Sequence, residues 1–404
     1  MDISKEHPLR VLAADDSAVM RGIMRTLFHT HGEDKLSKLP SMELCGVAQD
    51  GVECLEAVER LRPDVLVLDL EMPRLNGLDV LDRLRQSHPG LPVIMCSSYT
   101  ERGARSTLEA LARGASDYVM KPSEQRDLAT ALQSLAQQLL PKIAALAEGR
   151  RQRSEDGVAE VTKNAAVEGA AKRGDSHIEV VVIGLSTGGP SALEQMLPRL
   201  PANFPVPVLI VQHMPKLFTG ALAERLDKCC ALRVKEAYDS DAVLPGTIWL
   251  APGDSHMEVA PRKMGFGIDD GNATGRSVRV KLHQQEPLNH CRPSVDYLFH
   301  SAARLYGPNA LALMMTGMGA DGLGGARAVH EAGGTVLAQD EATSAVWGMP
   351  GRVAEAGIAD AVLPLAAIAG ELRQRINAGR SMKAASAEHA MPGMLRREGM
   401  HGLL

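Results

Sequence analysis

The chain alternates short apolar runs with amphipathic stretches, and it does so in two blocks. In the first block the apolar runs fall at 9–14, 42–48, 64–69, 92–97 and 117–120. Between and after them, 19–28, 51–61, 77–84, 105–111 and a long stretch from about 124 carry apolar residues at helical spacing. Within 64–69, residues 65–68 are apolar without alternation and lead into the carboxylate Asp69, the pattern of a strand covered on both faces. Five strands alternating with five helices predict a doubly wound parallel sheet.

The second block repeats the rhythm. Residues 180–183 are an unbroken Val-Val-Val-Ile run, followed by Gly184 and a helical stretch at 191–197. Further strands are expected at 207–212, 232–236, 247–251, 310–315 and 335–338, with helices at 218–226, 295–306 and 326–332. The stretch 264–282 reads as a strand pair around the glycine-containing loop 271–275. The chain therefore divides into a first α/β domain at 1–148, a flexible polar linker at 149–177, a second doubly wound α/β domain at 178–375 and a tail at 376–404 expected to be disordered. The linker has mixed charge and little apolar periodicity.

Composition adds bounds. The chain has 404 residues, 45% hydrophobic and 23% charged, which suits packed globular domains. Aromatics are only 3%, so the cores must be built from Val, Leu, Ile, Ala and Met. A net charge of −5 gives no support for nucleic-acid binding. No apolar run approaches 18 residues, so no membrane insertion is expected. The polar start Met-Asp-Ile-Ser-Lys-Glu carries no signal-peptide pattern, which points to a cytoplasmic protein. The six cysteines include no Cys-x-x-Cys pair and are expected to be buried free thiols in a reducing compartment.

The candidate chemistry sits at strand ends. In the first block Asp15, Asp16, Asp69, Ser97 and Lys121 all fall there, and in an open parallel sheet those ends share one rim. Three carboxylates together repel and call for a cation, and oxygen ligands with water suit Mg²⁺. A lysine pairs with the central carboxylate and with an incoming phosphoryl group. A carboxylate can itself be the nucleophile, giving an aspartyl-phosphate. Any one acidic residue there is explained equally well as a helix cap; all five polar groups together are not.

In the second block Gly184-Leu-Ser-Thr-Gly188 places Ser186 on a strand-to-helix turn, the pattern of a nucleophile elbow. The helix N-terminus beside it favours developing negative charge. The same turn could instead hold a phosphate. His213 and Asp321 lie at two further strand ends, so Ser186, His213 and Asp321 can form a hydrogen-bonded triad. His256, His283, His290 and His300 are rivals for the base, and the strand-end position favours His213. The order Ser, His, Asp differs from the Ser, Asp, His order of ordinary α/β-hydrolases. The glycine-rich run 317–325 lacks the Lys-Ser/Thr ending of a P-loop.

Two resemblances follow from these residues. With Asp15-Asp16, Asp69, Met72-Pro73, Asn76-Gly77, Ser97 and Lys121-Pro122, residues 9–148 resemble a response-regulator receiver domain of flavodoxin-like fold. The resemblance implies that Asp69 accepts a phosphoryl group from a histidine kinase, that Ser97 and Lys121 form the switch, and that Asp15, Asp16, Asp69 and the Glu71 backbone carbonyl hold Mg²⁺. One departure is the stretch 29–40, longer than expected, whose His29 and His31 read as part of a solvated loop. Residues 178–365 resemble the chemotaxis methylesterase family through Gly-Leu-Ser-Thr-Gly-Gly at 184–189, Gln-His-Met-Pro at 212–215, Ala-Pro-Gly-Asp at 251–254, Arg-Pro-Ser-Val-Asp at 292–296, Thr-Gly-Met-Gly-Ala-Asp-Gly at 316–322 and Gly-Met-Pro at 348–350. That resemblance implies Ser186 as nucleophile, His213 as base, Asp321 as orienting carboxylate and the Met318 backbone N–H as an oxyanion donor, with no cofactor at the hydrolase site. The departures, a long 264–282 loop and Ala320 where a polar residue is frequent, leave the triad untouched.

The implied function is a phosphorylation-controlled protein-glutamate methylesterase and protein-glutamine glutaminase acting on methylated chemoreceptors. Two rivals stand beside it. One is a receiver-controlled esterase or amidase for a different substrate. The other is a response regulator whose second domain only binds a partner.

Overall fold

The structure is a computed structural model that describes residues 7–33, 39–122, 127–156, 177–262 and 277–389. The first domain contains β1 Leu9–Ala14, α1 Ala18–Glu33, β2 Met42–Ala48, α2 Gly51–Leu61, β3 Val65–Asp69, α3 Gly77–Ser87, β4 Val93–Ser97, α4 Glu101–Ala112, β5 Asp117–Met120 and α5 Leu128–Asp156. Its strands are parallel in the order β2-β1-β3-β4-β5. The helices start where short polar side chains satisfy free backbone N–H groups. Asp50 accepts from Val52 and Glu53, Asn76 from Asp79, and Thr100 from Gly103. β3 and β4 are buried along their whole length, as apolar central strands require.

The second domain contains β6 Val180–Leu185, α6 Gly189–Met196, β7 Val208–Gln212, α7 Lys216–Cys229, β8 Arg233–Glu236, β9 Thr247–Leu250, β10 His256–Pro261, β11 Val278–His283, α8 Val295–Tyr306, β12 Ala310–Met314, α9 Leu323–Glu331, β13 Thr335–Gln339, α10 Met349–Glu355, β14 Ala361–Leu363 and α11 Leu365–His389. Seven parallel strands run in the order β14-β13-β12-β6-β7-β9-β8. β10 and β11 form a separate antiparallel ribbon that packs on α8, where the Val259 N–H donates to Ser301 Oγ at 3.0 Å.

Several expectations need correction. The ribbon's first strand is His256–Pro261, upstream of 264, and 263–276 lie outside the described residues. His29 and His31 sit on α1, which runs on to Glu33, and not in a loop. The helix α5 continues past 148 to Asp156, into the stretch read as linker; 157–176 lie outside the described residues. The helix α11 continues past 375 to His389, into the stretch expected to be disordered; 390–404 lie outside the described residues. Of the six free cysteines only Cys54 and Cys96 are buried, Cys229 is exposed and the others are half-buried. Among the described residues no helix is long and apolar enough to cross a membrane.

One apolar cluster spans the two domains. Leu108, Leu111 and Tyr118 from the first domain join Phe218 and Leu222 from the second. The Tyr118 and Phe218 rings stack with centroids 4.7 Å apart and planes at 10°. Arg105 pairs with Glu224 at 3.6 Å and Ser191 Oγ donates to the Leu111 carbonyl at 2.9 Å. α4 and β5 thus dock against α6 and α7, beside the turn that carries Ser186.

Candidate functional sites

The first rim is built at the ends of β1, β3, β4 and β5. β1 and β3 are adjacent, so Asp15 and Asp69 project from neighbouring strand ends, about 5 Å apart by strand spacing. Lys121 bridges them, with Nζ 2.9 Å from Asp15 Oδ2 and 2.8 Å from Asp69 Oδ2. Burial and the charge of Asp15 push the Asp69 carboxyl up to about 6, against the pull of Lys121. Burial disfavours the Lys121 charge, but the two carboxylates outweigh it and raise its pKa. Asp15, Asp16 and Asp69 each offer a carboxylate oxygen within 4.8 Å of the others, a hard-oxygen set that fits Mg²⁺. Glu71 is exposed and lines the same open cavity as Asp16. Gly77 keeps this rim tight, because a Cβ there would lie 2.2 Å from the Asp69 carbonyl oxygen. Ser97 is not brought onto Asp69 here. Its hydroxyl accepts from Thr107 Oγ1 at 2.7 Å and faces α4.

The second rim is built at the ends of β7, β6 and β12, three adjacent central strands. β6 ends at Leu185, and Ser186 follows on a turn pinned from both sides. The Ser186 N–H donates to the Thr316 carbonyl at 3.0 Å, and Gln212 Nε2 donates to the Ser186 carbonyl at 2.9 Å. Gly188 caps α6 at φ 77°, a left-handed conformation that favours glycine. Gly317 allows the β12 loop to close over the turn, since a Cβ there would lie 2.9 Å from Ser186 N.

His213 follows β7 directly, and its Nε2 lies 2.8 Å from Asp321 Oδ2. Of the five histidines weighed for the base, His213 is the one paired with Asp321 among the described residues. His256 instead accepts the Ser294 N–H at Nδ1, 3.2 Å away. Asp321 is buried and fully engaged. Oδ1 accepts from Ser294 Oγ at 2.6 Å and Asn289 Nδ2 at 2.9 Å, and Oδ2 accepts the Val295 N–H at 2.6 Å. Burial alone would raise the Asp321 pKa, but His213, Ser294 and Asn289 hold it down to about 2. Burial alone would lower the His213 pKa, but Asp321 and Cys291 lift it to about 9.

The triad is not closed. Among the described residues Ser186 Oγ makes no hydrogen bond, and His213 Nδ1 faces Cys291 Sγ at 3.5 Å. The Met318 N–H takes no acceptor among the described residues, and its side chain is exposed. Cys291, Asn289 and Ser294 were not singled out from the sequence. Ser294 lay within the quoted Arg-Pro-Ser-Val-Asp segment, the one signal that could have found it. Thr187 was also missed: its hydroxyl donates across the domain boundary to Asp117 Oδ2 at 2.7 Å.

Comparison with known proteins gives two family matches. Residues 181–372 match the family CheB methylesterase, and residues 11–133 match the response regulator receiver domain. A Trichodesmium erythraeum protein named protein-glutamate methylesterase/protein-glutamine glutaminase is 41% identical, covering 91% of this chain and 99% of its own. A Pseudomonas aeruginosa protein of the same name, numbered 2, is 41% identical over 91% of this chain and 97% of its own. Among solved structures, the Thermotoga maritima CheB methylesterase catalytic domain is 44% identical, covering 48% of this chain and 97% of its own with a TM-score of 0.45.

Proposed function

The chain belongs to the CheB methylesterase family, with a response-regulator receiver domain ahead of the catalytic one, and on that footing we propose that Ser186, His213 and Asp321 hydrolyse γ-glutamyl methyl esters, and deamidate glutamines, on chemoreceptors under control of Asp69 phosphorylation. As an enzyme it is a protein-glutamate methylesterase/protein-glutamine glutaminase. The observation that carries the mechanism is the pairing of half-buried His213 with buried Asp321 at 2.8 Å, His213 following the strand next to the Ser186 turn.

In this mechanism Ser186 Oγ attacks the ester carbonyl carbon and its proton passes to His213 Nδ1, the nitrogen that Asp321 leaves free. Asp321 fixes the ring and stabilises its protonated form. The unpaired Met318 N–H is available to the developing oxyanion. His213 returns the proton to the leaving methanol, or to ammonia when the substrate is a glutamine amide. Water, deprotonated by His213, then attacks the acyl-serine and frees the glutamate. Closing the triad requires Ser186 Oγ to reach Nδ1, the position that Cys291 Sγ faces at 3.5 Å.

For the receiver, Asp15, Asp16, Asp69 and the Glu71 carbonyl are the proposed Mg²⁺ ligands. The cation would offset the charge of the carboxylates and the phosphoryl group. Asp69 is the proposed phosphoacceptor, Lys121 pairs with the phosphoryl oxygens, and Ser97 turns away from Thr107 toward them. β5 connects this rim to the interface, because Asp117 and Tyr118 lie on the same short strand that leads to Lys121. Phosphorylation would bias that strand toward release of the Ser186 rim.

The test is methanol release from methylated chemoreceptor membranes, for wild type and Ser186→Ala, each with and without a small phosphodonor and Mg²⁺. Release that requires Ser186 and rises with phosphodonor is expected. No release from wild type in either condition would overturn the substrate assignment. Release that persists in Ser186→Ala would overturn the nucleophile.

A further inference from the structure

We propose that His213 and Cys291 form a binding site for a thiophilic divalent cation of the zinc class, and that a cation held there silences the hydrolase. Cys291 Sγ lies 3.5 Å from His213 Nδ1. In a tetrahedral zinc site, Zn–N is about 2.0–2.1 Å and Zn–S about 2.3 Å, which sets the N···S edge at about 3.6 Å. The pair is therefore already spaced as two ligands of one ion.

The other face of the ring supplies what such a ligand needs. A metal-bound imidazole almost always donates its second N–H to a carboxylate, which fixes the ring and raises its basicity. His213 Nε2 has that partner in Asp321 Oδ2 at 2.8 Å. Asp321 is itself held by Ser294 Oγ, Asn289 Nδ2 and the Val295 N–H. A carboxylate oxygen of Asp321 also lies within 4.8 Å of donor atoms of both His213 and Cys291. Cys291 is fixed from its own side, since Leu288 and Cys291 exchange both backbone hydrogen bonds, at 3.2 and 2.9 Å.

Sulfur and imidazole donors select zinc-like ions over Mg²⁺. The site is thus chemically distinct from the carboxylate cluster of Asp15, Asp16 and Asp69. With two protein ligands and positions left for water, it suits a reversible inhibitor and not a permanently bound cofactor. The inhibition follows because Nδ1 is the nitrogen that must accept the Ser186 proton. That consequence rests on the proposed Ser-His-Asp reading; the binding itself does not.

The experiment is a Co²⁺ titration of the reduced full chain in excess Mg²⁺, which keeps the receiver carboxylates occupied, with zinc inhibition of methanol release measured in parallel. The expected result is a near-ultraviolet thiolate-to-cobalt band that saturates at one equivalent and is displaced by Zn²⁺. Cys291→Ser should abolish the band. Asp321→Asn should weaken binding about 10-fold or more. A Cys229→Ser, Cys230→Ser double variant, which removes the adjacent thiols elsewhere on the fold, should keep the band. Absence of the band in wild type, or its survival in Cys291→Ser, overturns the proposal. A band without zinc inhibition would overturn the proposal that a cation held there silences the hydrolase.

Discussion

Thr187, the residue after Ser186, donates its hydroxyl to the receiver carboxylate Asp117 at 2.7 Å. Both residues are buried, and Lys142 Nζ lies 2.9 Å from the same Asp117 oxygen. A hydrogen bond to a charged group contributes about 1.5–3 kcal/mol, enough to shift a docking equilibrium by roughly tenfold or more. Asp117→Asn removes the charge and keeps the shape. We expect it to raise basal hydrolysis several-fold without phosphodonor. Unchanged basal methanol release in a variant that melts like wild type would show that this contact does not restrain the catalytic rim.

Hydrolysis should follow the state of His213. Its pKa is lifted to about 9, because Asp321 and Cys291 outweigh the effect of burial. A general base must be neutral, so kcat/KM should rise with pH up to about 9 and then level. Asp321→Asn removes the strongest stabiliser of the protonated ring. The limb should then move down toward about 6.5, the ordinary histidine value, while the rate falls by up to about 10⁴. A pH–rate profile in chelator-treated buffer for both proteins checks the direction of the shift.

Both sheets and both strand-end rims were legible, because parallel strands covered on both faces write themselves as unbroken apolar runs. Residues 180–183 and 65–68 are the clearest cases. Their polar neighbours Ser186 and Asp69 stand out by contrast. What was not legible has three physical causes. The half-buried edge strand β14 has only three residues, and β10 mixes polar and apolar positions, so neither is marked by an apolar run. The end of α5 is rich in Arg, with Gln and Glu, good helix formers whose polarity reads as linker. The contacts of Cys291 with His213 and of Thr187 with Asp117 join positions 78 and 70 residues apart, and no local pattern encodes such a meeting.

Ser294 should act on stability as well as on catalysis. It donates to Asp321 Oδ1 at 2.6 Å and helps hold that carboxyl down to about 2. A carboxylate whose folded pKa lies below its unfolded value stabilises the fold above the unfolded pKa, about 3.9, and loses that contribution as pH falls through the folded one. Ser294→Ala raises the folded pKa of Asp321 and leaves part of its buried charge unsatisfied. We expect a loss of about 1–3 kcal/mol at pH 7. The part due to titration should shrink between about pH 4 and pH 2. Denaturant unfolding at pH 7 and at pH 3 measures both, and an equal loss at the two values would remove the electrostatic part of the argument.

The stacked pair Tyr118 and Phe218 offers the most direct readout of domain coupling. Tyr118 is on β5, the strand that leads to Lys121, and Phe218 is in the first turn of α7, five residues after His213. Their rings are parallel at 4.7 Å, and Lys142 Nζ lies 5.1 Å from the Tyr118 centroid. An aromatic pair contributes about 0.5–1.5 kcal/mol beyond the area it buries. Tyr118→Ala and Phe218→Ala should each raise basal hydrolysis, because each removes the same contact from the docked state. Once one ring is gone the other has lost its partner, so the double variant should gain less than the product of the two single gains. The shortfall is the coupling between the domains through this contact, and roughly 1 kcal/mol of it corresponds to about a fivefold departure from multiplicativity. Strictly multiplicative effects would mean that the rings contribute independently and that β5 does not transmit through them. Phe218→Ala also opens a cavity in the core, where Phe218 is fully buried, so its melting temperature must be compared with that of Tyr118→Ala before the rates are compared.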